Sequence, residues 1–451
     1  VNILAGLTPE TANSMPDETF AYLSGTSMST PHVAGVAALL MEAHPEWGPS
    51  SVKSALMTSA RQDLVQSDGE STANPFDYGA GHIVPNDALN PGLVYDVSGD
   101  EFDAFACGTD SPAVSESRCD ELEGAGASFA PEDLNQPSIG LARLANEQTV
   151  TRRVTNVSDQ SQTLAASVTA PPGIRVAVVP PNLSIGPGET ATFDVTFVYE
   201  SGPLDLWRFG SLTWTSNDHS VYSTIAVKPV SLTAPAEVTS FGGSGSISFP
   251  VEFGYTGTYV PGVHGLRLPL VINGFVDNDP TKTFTFRSGN GVTPHLVQVP
   301  ADQLYLRFSL FDALTDGDDD LDLVLYYQPG TCHPLDFRGT RITDSGSPTS
   351  EEQVNVFRPA AGCYGALVHG FETDEISGGP GANYTMLAWA IGIVDDQGNM
   401  TASGPPFVNS GSTETITVNW ANLVSDTIYL GGISHNTPQG LVGLTLVTIG
   451  N

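Results

Sequence analysis

Residues 25–32 read Gly25-Thr26-Ser27-Met28-Ser29-Thr30-Pro31-His32 and run directly into Val33-Ala34-Gly35-Val36-Ala37-Ala38-Leu39-Leu40-Met41. In the second stretch Val33, Val36, Ala37, Leu40 and Met41 follow the i, i+3, i+4, i+7, i+8 rule of one helical face. Ala34, Gly35 and Ala38 on the opposite face are uncharged too. A helix that is apolar all round is expected to be buried in a larger domain. Ser27 then stands at the helix head, beside backbone N–H groups that lack intrahelical partners and carry partial positive charge. An oxyanion is stabilised in such a place. Gly25 lets backbone approach closely, and Pro31 is expected in the first helical turn. Taken alone, the pattern reads more simply as a serine that caps a helix.

Outward from this segment the chain changes character. A second helix is expected from Pro49, with Val52, Ala55, Leu56 and Ser59 as its inner stripe, and Asn90-Pro91-Gly92 marks a turn. From about residue 128 the period becomes two. Val150, Arg152 and Val154 alternate, as do Ile174, Val176 and Val178, and Phe193, Val195 and Phe197. Pro171-Pro172-Gly173 and Gly186-Pro187-Gly188 punctuate them, which predicts a β-sandwich of roughly 100 residues ending near Pro229. Gly242-Gly243-Ser244-Gly245-Ser246 reads as a flexible joint or a glycine-rich strand edge. Alternation resumes at Leu304, Leu306, Phe308 and Leu310, then at Leu321, Leu323 and Leu325, and again at Ile416, Val418 and Trp420. One or two further all-β modules are expected there.

The 451 residues suffice for two to four domains. Fifty acidic residues against sixteen basic ones give a net charge of −34. Such a chain repels nucleic acid and anionic lipid, so sequence-independent binding to either is excluded as an expectation. No apolar run approaches the ~20 residues that span a bilayer. No signal peptide or initiator Met opens the chain, and the sequence reads as a processed product or a fragment whose beginning is missing. The cysteines fall in two local pairs, Cys107 with Cys119 and Cys332 with Cys363, and none forms a CxxC spacing. Two local disulfides are expected, which favours an oxidising, extracellular compartment.

The segment around Ser27 resembles the nucleophile motif of subtilisin-like serine proteases, the subtilases. Ser51-Val52-Lys53-Ser54-Ala55-Leu56-Met57-Thr58 resembles the next helix of that domain. Tyr78-Gly79-Ala80-Gly81-His82 and Asn90-Pro91-Gly92-Leu93-Val94-Tyr95-Asp96 resemble the plant-type and related bacterial branch. Asp133-Leu134-Asn135-Gln136-Pro137-Ser138-Ile139 and Val154-Thr155-Asn156-Val157 resemble the start of its fibronectin-III-like domain. The resemblance covers residues 1 to about 230 and implies that Ser27 is the nucleophile of an acyl-transfer triad. Subtilases order the triad as Asp, His, Ser. No Asp-Thr-Gly and no His-Gly-Thr-x-Val segment occurs in these 451 residues. His32, His44 and His82 are read as structural, and none is offered as the general base.

The resemblance implies a multidomain fold class: the C-terminal part of a subtilisin-type α/β domain followed by all-β sandwich modules. The expected bounds are 1–127 for the catalytic-domain part, 128–232 for the fibronectin-III-like sandwich, 237–395 for a prepeptidase-C-terminal-like β module, and 396–451 for a small terminal module or a continuation. The expected function is that of a secreted serine endopeptidase acting on protein or peptide substrates. The chain is expected to be a monomer without cofactor, metal, nucleic-acid partner or membrane span, and to be inactive by itself. The alternative is a non-catalytic secreted β-sandwich array for binding or adhesion, carrying a protease remnant. Weaker motifs are read blandly. Asp316-Gly317-Asp318-Asp319-Asp320-Leu321-Asp322 has the carboxylate density of a calcium loop, but reads as a solvated acidic turn. Asn156, Asn182, Asn383 and Asn399 head glycosylation-type triplets. Trp207, Trp214, Trp389 and Trp420 read as buried strand tryptophans rather than a carbohydrate platform.

Overall fold

The computed structural model describes residues 3–6, 19–109, 111, 113–286, 291–374 and 381–450. The chain forms two units, residues 1–230 and 231–451. Strand dominates both, and the helices longer than one turn lie before residue 125.

In the first unit, helix α1 spans Thr26–Ala43 and helix α2 spans Pro49–Thr58. Pro49 opens α2 as expected, and Val52, Ala55 and Leu56 are buried, together with Ser51, Ser54 and Thr58. Helix α1 departs from expectation. Val36, Ala37 and Leu40 pack against Val52, Leu56, Ala88, Trp47 and Ile83, but Leu40 alone among its described residues is buried. Leu39 and Met41 are 61% and 56% exposed. The apolar periphery of a helix is buried only if other elements cover it, and among the described residues only one face meets α2 and the turns that follow. Pro31 also lies deeper than expected, because α1 begins at Thr26. A proline there cannot donate to the carbonyl four residues back, that of Ser27.

Residues 139–229 form the sandwich that the period-two pattern predicts. One sheet orders the strands Ile139–Leu144, Ser220–Pro229, Arg208–Thr215, Gln162–Thr169 and Asn182–Ile185. The other orders Leu93–Val94, Glu147–Asn156, Thr190–Tyr199 and Ile174–Val179. Val150, Val154, Phe193, Val195, Phe197, Leu212 and Trp214 fill the space between them. The second sheet thus recruits Leu93–Val94 from the helical region, paired antiparallel with Thr155–Asn156. Gly92 makes this possible: its φ is +77°, and a Cβ there would lie 2.6 Å from the His219 ring. Asn135 completes the attachment. Its Nδ2 donates to the carbonyls of Asp96 and Arg153, both at 2.9 Å, and its Oδ1 accepts from Arg153 N at 2.8 Å. The disulfides Cys107–Cys119 and Cys332–Cys363 are both formed, as the local pairing predicts.

The second unit holds two sandwiches. The outer one is discontinuous. Gly245–Phe253 pairs with Thr413–Trp420, Val260–Arg267 pairs with Ile428–Thr437, and Glu237–Phe241 runs parallel to Gly440–Gly450. Residues after 396 therefore continue the sheets begun before residue 268. The inner sandwich is inserted between them. Its sheets order Leu270–Asp277, Gly381–Gly392, Gln303–Ser309, Gln353–Phe357 and Val292–Val299, Gly362–Glu372, Asp320–Gln328, Thr340–Ser345. They enclose Phe308, Leu321, Leu323, Leu325, Ala366 and Val368. The Gly242–Ser246 stretch is a packed turn rather than a joint. Trp420 Nε1 donates to Gly242 O at 2.8 Å, and a Cβ on Gly245 would stand 2.6 Å from the Trp420 ring. Trp214, Trp389 and Trp420 are buried, while Trp207 is partly exposed and packs edge-on to Phe76.

Two outcomes follow from this packing. Hydrogen exchange of the full chain should show α1 amides opening far faster than those of Glu147–Asn156 and Thr190–Tyr199, since α1 has few buried contacts. Equal protection of the two regions would contradict the exposed helix. Asn135→Ala should cost about 2–4 kcal/mol in chemical denaturation, because three buried bonds are lost together and their backbone partners are left unpaired. A loss below about 0.5 kcal/mol would show that water replaces the amide.

Candidate functional site

Ser27 lies in the first turn of α1, behind the extended Gly25. Gly25 O accepts the N–H groups of Met28 and Ser29 at 3.1 and 3.3 Å, which starts the helix. No side chain caps it. The Ser27 hydroxyl is exposed and makes no hydrogen bond among the described residues. It opens onto a depression of about 430 Å³ lined by Ile3, Leu4, Ala5, Gly6, Met28, Pro31 and His32. Ile3–Gly6 is a strand paired antiparallel with Phe20–Leu23. The serine thus combines a free hydroxyl, orphan N–H groups of the first helical turn and an adjacent strand edge. Such a place suits a nucleophile and the oxyanion formed when it attacks a carbonyl.

No imidazole engages Ser27 among the described residues. The nearest in sequence, His32, donates from Nδ1 to Met28 O at 2.6 Å. His44 donates from Nε2 to Leu89 O at 2.8 Å and stacks on Trp47, with ring centroids 3.9 Å apart. His82 exchanges backbone bonds with Arg61 at 2.9 and 3.0 Å. The rings of His32 and His44 therefore hold structural contacts, whereas His82 is exposed and contributes through its backbone. The Tyr78–Gly79 turn lies against the sandwich through Thr224 Oγ1, which donates to Gly79 O at 3.4 Å. Tyr95, from the Asn90–Asp96 motif, is buried with its hydroxyl 3.0 Å from Ser223 Oγ. These motifs attach the helical part to the sandwich and supply no chemistry.

An imidazole held by carboxylates does occur in the inner sandwich of the second unit. His369 and Asp322 are directly paired neighbours on adjacent strands. His369 Nδ1 donates to Asp322 Oδ2 at 2.9 Å, and Nε2 donates to Asp279 Oδ2 at 3.0 Å. His369 and Asp279 are each about 1% exposed. With both ring nitrogens committed and no access for a hydroxyl, His369 is a strut and not a base. The sequence offered no sign of it, since its partners lie 47 and 90 residues away. Asn156 is likewise consumed, donating to Gln160 O and Ile185 O at 2.8 and 2.9 Å, which leaves no free amide for glycosylation.

Residues 6–81 match the subtilase family, and residues 133–227 match a fibronectin type-III domain. The subtilisin-like protease SBT2.5 of Arabidopsis thaliana is 39% identical over 211 residues, covering 43% of this chain and 26% of that protein. These 451 residues thus carry a subtilase-family segment and a fibronectin type-III-like domain. A second Arabidopsis thaliana relative, the subtilisin-like protease SBT3.9, is 39% identical over 238 residues, covering 51% of this chain and 31% of its own. The chain therefore spans about a quarter to a third of the length of these curated relatives. Among solved structures, tripeptidyl peptidase 2 aligns over 91% of the chain and 32% of its own at 12% identity, with a TM-score of 0.26, too low to carry an argument.

The His369 strut has a definite pH signature. Burial pushes the imidazole down, but Asp322 and Asp279 outweigh it and hold the ring above the ordinary histidine value. A raised value stabilises the fold fully below about pH 6.5 and loses that contribution as pH rises through the folded-state value. His369→Gln should therefore cost about 3 kcal/mol near pH 6 and markedly less near pH 9, read from denaturation midpoints. A penalty that stays constant or grows with pH would remove the imidazolium from the account.

Proposed function

We propose that this subtilase chain carries the nucleophile of a secreted serine endopeptidase, with Ser27 forming the acyl-enzyme on peptide substrates. The observation that carries this reading is the Ser27 hydroxyl itself. It is exposed and unbonded at the head of an 18-residue helix, inside the segment that matches the subtilase family. In that role Ser27 Oγ attacks the scissile carbonyl, and the first-turn N–H groups receive the developing negative charge. A histidine must take the serine proton and later hand it to the leaving amine, and an aspartate must orient that histidine. No residue in the described part of the chain is in place for either task. The reading assigns residues 1–127 to the catalytic domain, 128–232 to the fibronectin-III-like domain, and the rest to β modules outside the chemistry. The two disulfides support an extracellular setting. Peptides are the substrate class, and the chain acts as a monomer.

Without a base the hydroxyl stays protonated. In subtilisin, loss of the histidine alone costs roughly a millionfold in turnover. The 451-residue chain should accordingly show no cleavage of a fluorogenic peptide and no labelling by a fluorophosphonate probe. Labelling abolished by Ser27→Ala would reveal a base within these residues. A longer form of the protein that carries Asp-Thr-Gly and His-Gly-Thr motifs should label at Ser27. Failure of that form to label would favour the other reading, a binding array with a silent protease remnant.

A further inference from the structure

In the inner sandwich, the sheet that contains Val292–Val299 and Gly362–Glu372 turns Val297, Ala366 and Val368 toward the core. Leu296 and Leu367 therefore face outward, because successive side chains of a strand point to opposite faces. A groove of about 720 Å³ lies at these two residues. Phe286 and Pro294 line it from the chain around the Val292–Val299 strand, and Pro334, Phe337 and Arg338 line it from the loop before Thr340–Ser345. A concavity of that size takes a small ligand or the end of a chain.

The loop is held from both ends. Cys332 is bonded to Cys363 on the neighbouring strand, and its N–H donates to Gln298 Oε1 at 2.8 Å. At the other end Arg338 N donates to Gln328 Oε1 at 2.5 Å. Phe337 packs down onto the sheet and is 7% exposed. A Cβ on Gly365 would lie 2.6 Å from its ring, and so would one on Gly339, so two glycines make room for it. The Phe286 ring completes the aromatic side, with its centroid 6.1 Å from that of Phe337 and 4.6 Å from that of Tyr326. The apolar lining is thus preformed, and a ligand need not order it. His295, also on the lining, is held by the Tyr384 hydroxyl, 2.7 Å from its Nε2.

Arg338 brings a positive charge to these apolar walls. It is exposed, and its Nη1 donates to Phe337 O at 3.0 Å. No carboxylate pairs with it among the described residues, although the chain carries fifty acidic side chains. Asp336 pairs instead with His333 at 3.3 Å, and Asp344 pairs with Arg341 at 2.8 Å. An unpaired guanidinium beside apolar walls favours a carboxylate carried on an apolar body, because its planar fork can bind both carboxylate oxygens at once. The reaction assigned to Ser27 produces such groups, since hydrolysis of a peptide bond leaves a new carboxylate on the residue before the break. We propose that this groove binds the C-terminal residue of a peptide, with its carboxylate on Arg338 and a large apolar side chain against Phe286, Leu296 and Phe337. The source of the ligand rests on the peptidase reading; the binding itself does not.

The test is titration calorimetry of the full chain with N-acetyl-alanyl-phenylalanine, as the free acid and as the amide. The acid should bind about tenfold more tightly than the amide, the difference being one charge-assisted bidentate contact. That preference runs against the net charge of −34, which disfavours anions at long range, so it reports a local cation. Arg338→Gln should lower the affinity for the acid about tenfold and leave that for the amide unchanged. Arg338→Lys should fall between, since it keeps the charge and loses the fork. Phe286→Ala should weaken acid and amide alike, by roughly tenfold, through lost apolar contact. Absence of binding by the acid would overturn the proposal. So would equal affinity for acid and amide, or an affinity for the acid that Arg338→Gln leaves unchanged. 4-Phenylbutyrate binding as tightly as the peptide acid would also overturn it, by making the groove a site for free apolar acids. Circular dichroism checks the fold of each variant, and the comparison of acid with amide needs no variant at all. Calorimetry reads binding without turnover, so its failure is distinct from a failure of the peptidase reading, which labelling of Ser27 decides.

Discussion

The Asn135 side chain is the joint on which the first unit depends. One amide binds three backbone groups, two on Arg153 and one on Asp96. It thereby fixes the end of the Leu93–Val94 strand to the Glu147–Asn156 strand beside it. Arg152 reinforces the same corner from within. It occupies an inward position between Val150 and Val154, and its guanidinium donates to the carbonyls of Gln136, Thr151 and Glu132 at 3.1, 2.9 and 2.8 Å. A cation so deeply placed is tolerated because its N–H groups end on carbonyl oxygens, each carrying partial negative charge. The fibronectin-III-like sandwich is thus completed by a strand, Leu93–Val94, that precedes the matched residues 133–227. Helix α2 is tied to that strand in turn, because Ser54 Oγ accepts Tyr95 N at 2.8 Å.

Order therefore runs down a gradient toward Ser27. The sandwich is packed on both inner faces, α2 is packed on its inner stripe, and α1 is packed on one narrow stripe. A nucleophile needs a precise position, and position comes from packing against rigid neighbours. In this chain the helix that bears Ser27 has apolar surface at Leu39 and Met41 open to solvent. Among the described residues no imidazole engages Ser27, and nothing covers these side chains.

What could be read from the sequence was what is local. The 3.6 period located α1 and α2, and the period of two located the strands around Val150, Ile174 and Phe193. The two disulfides followed from cysteines close in sequence. Burial of α1 could not be read, since it depends on partners absent from the helix's own pattern. Nor could the return of residues 413–420 to residues 245–253, because register between segments some 170 residues apart leaves no local trace. The acidic stretch shows the limit most clearly. Its density of Asp was plain, but the fates of Asp316 and Asp322 are set by Asn383 and His369, each brought in by the sheet topology. Ser27 was singled out by its motif alone, and the motif says nothing about whether a base stands beside it.

The insertion in the second unit raises a specificity problem that a single interaction addresses. The outer sandwich closes only when Glu237–Phe241 meets Gly440–Gly450, some 200 residues later, and the inner sandwich occupies the intervening chain. Closure over such a distance is entropically expensive and slow, so the inner sandwich must leave the outer strands in register. Arg307, on an inner strand and 5% exposed, donates from Nη1 and Nη2 to the two oxygens of Glu237 at 2.9 and 2.6 Å. Glu237 also accepts the Thr448 hydroxyl. A buried ion pair adds little net stability over an apolar pair of the same volume. A bidentate one does impose direction, because both N–H bonds fail together when the planes tilt. Arg307 thus binds the very strand whose parallel partner closes the outer sheet, and Thr448 belongs to that partner. The pair couples the finished inner sandwich to the last step of the outer one. Leu387, Trp389, Leu430 and Leu446 supply the apolar burial alongside it, which is where the stabilisation resides.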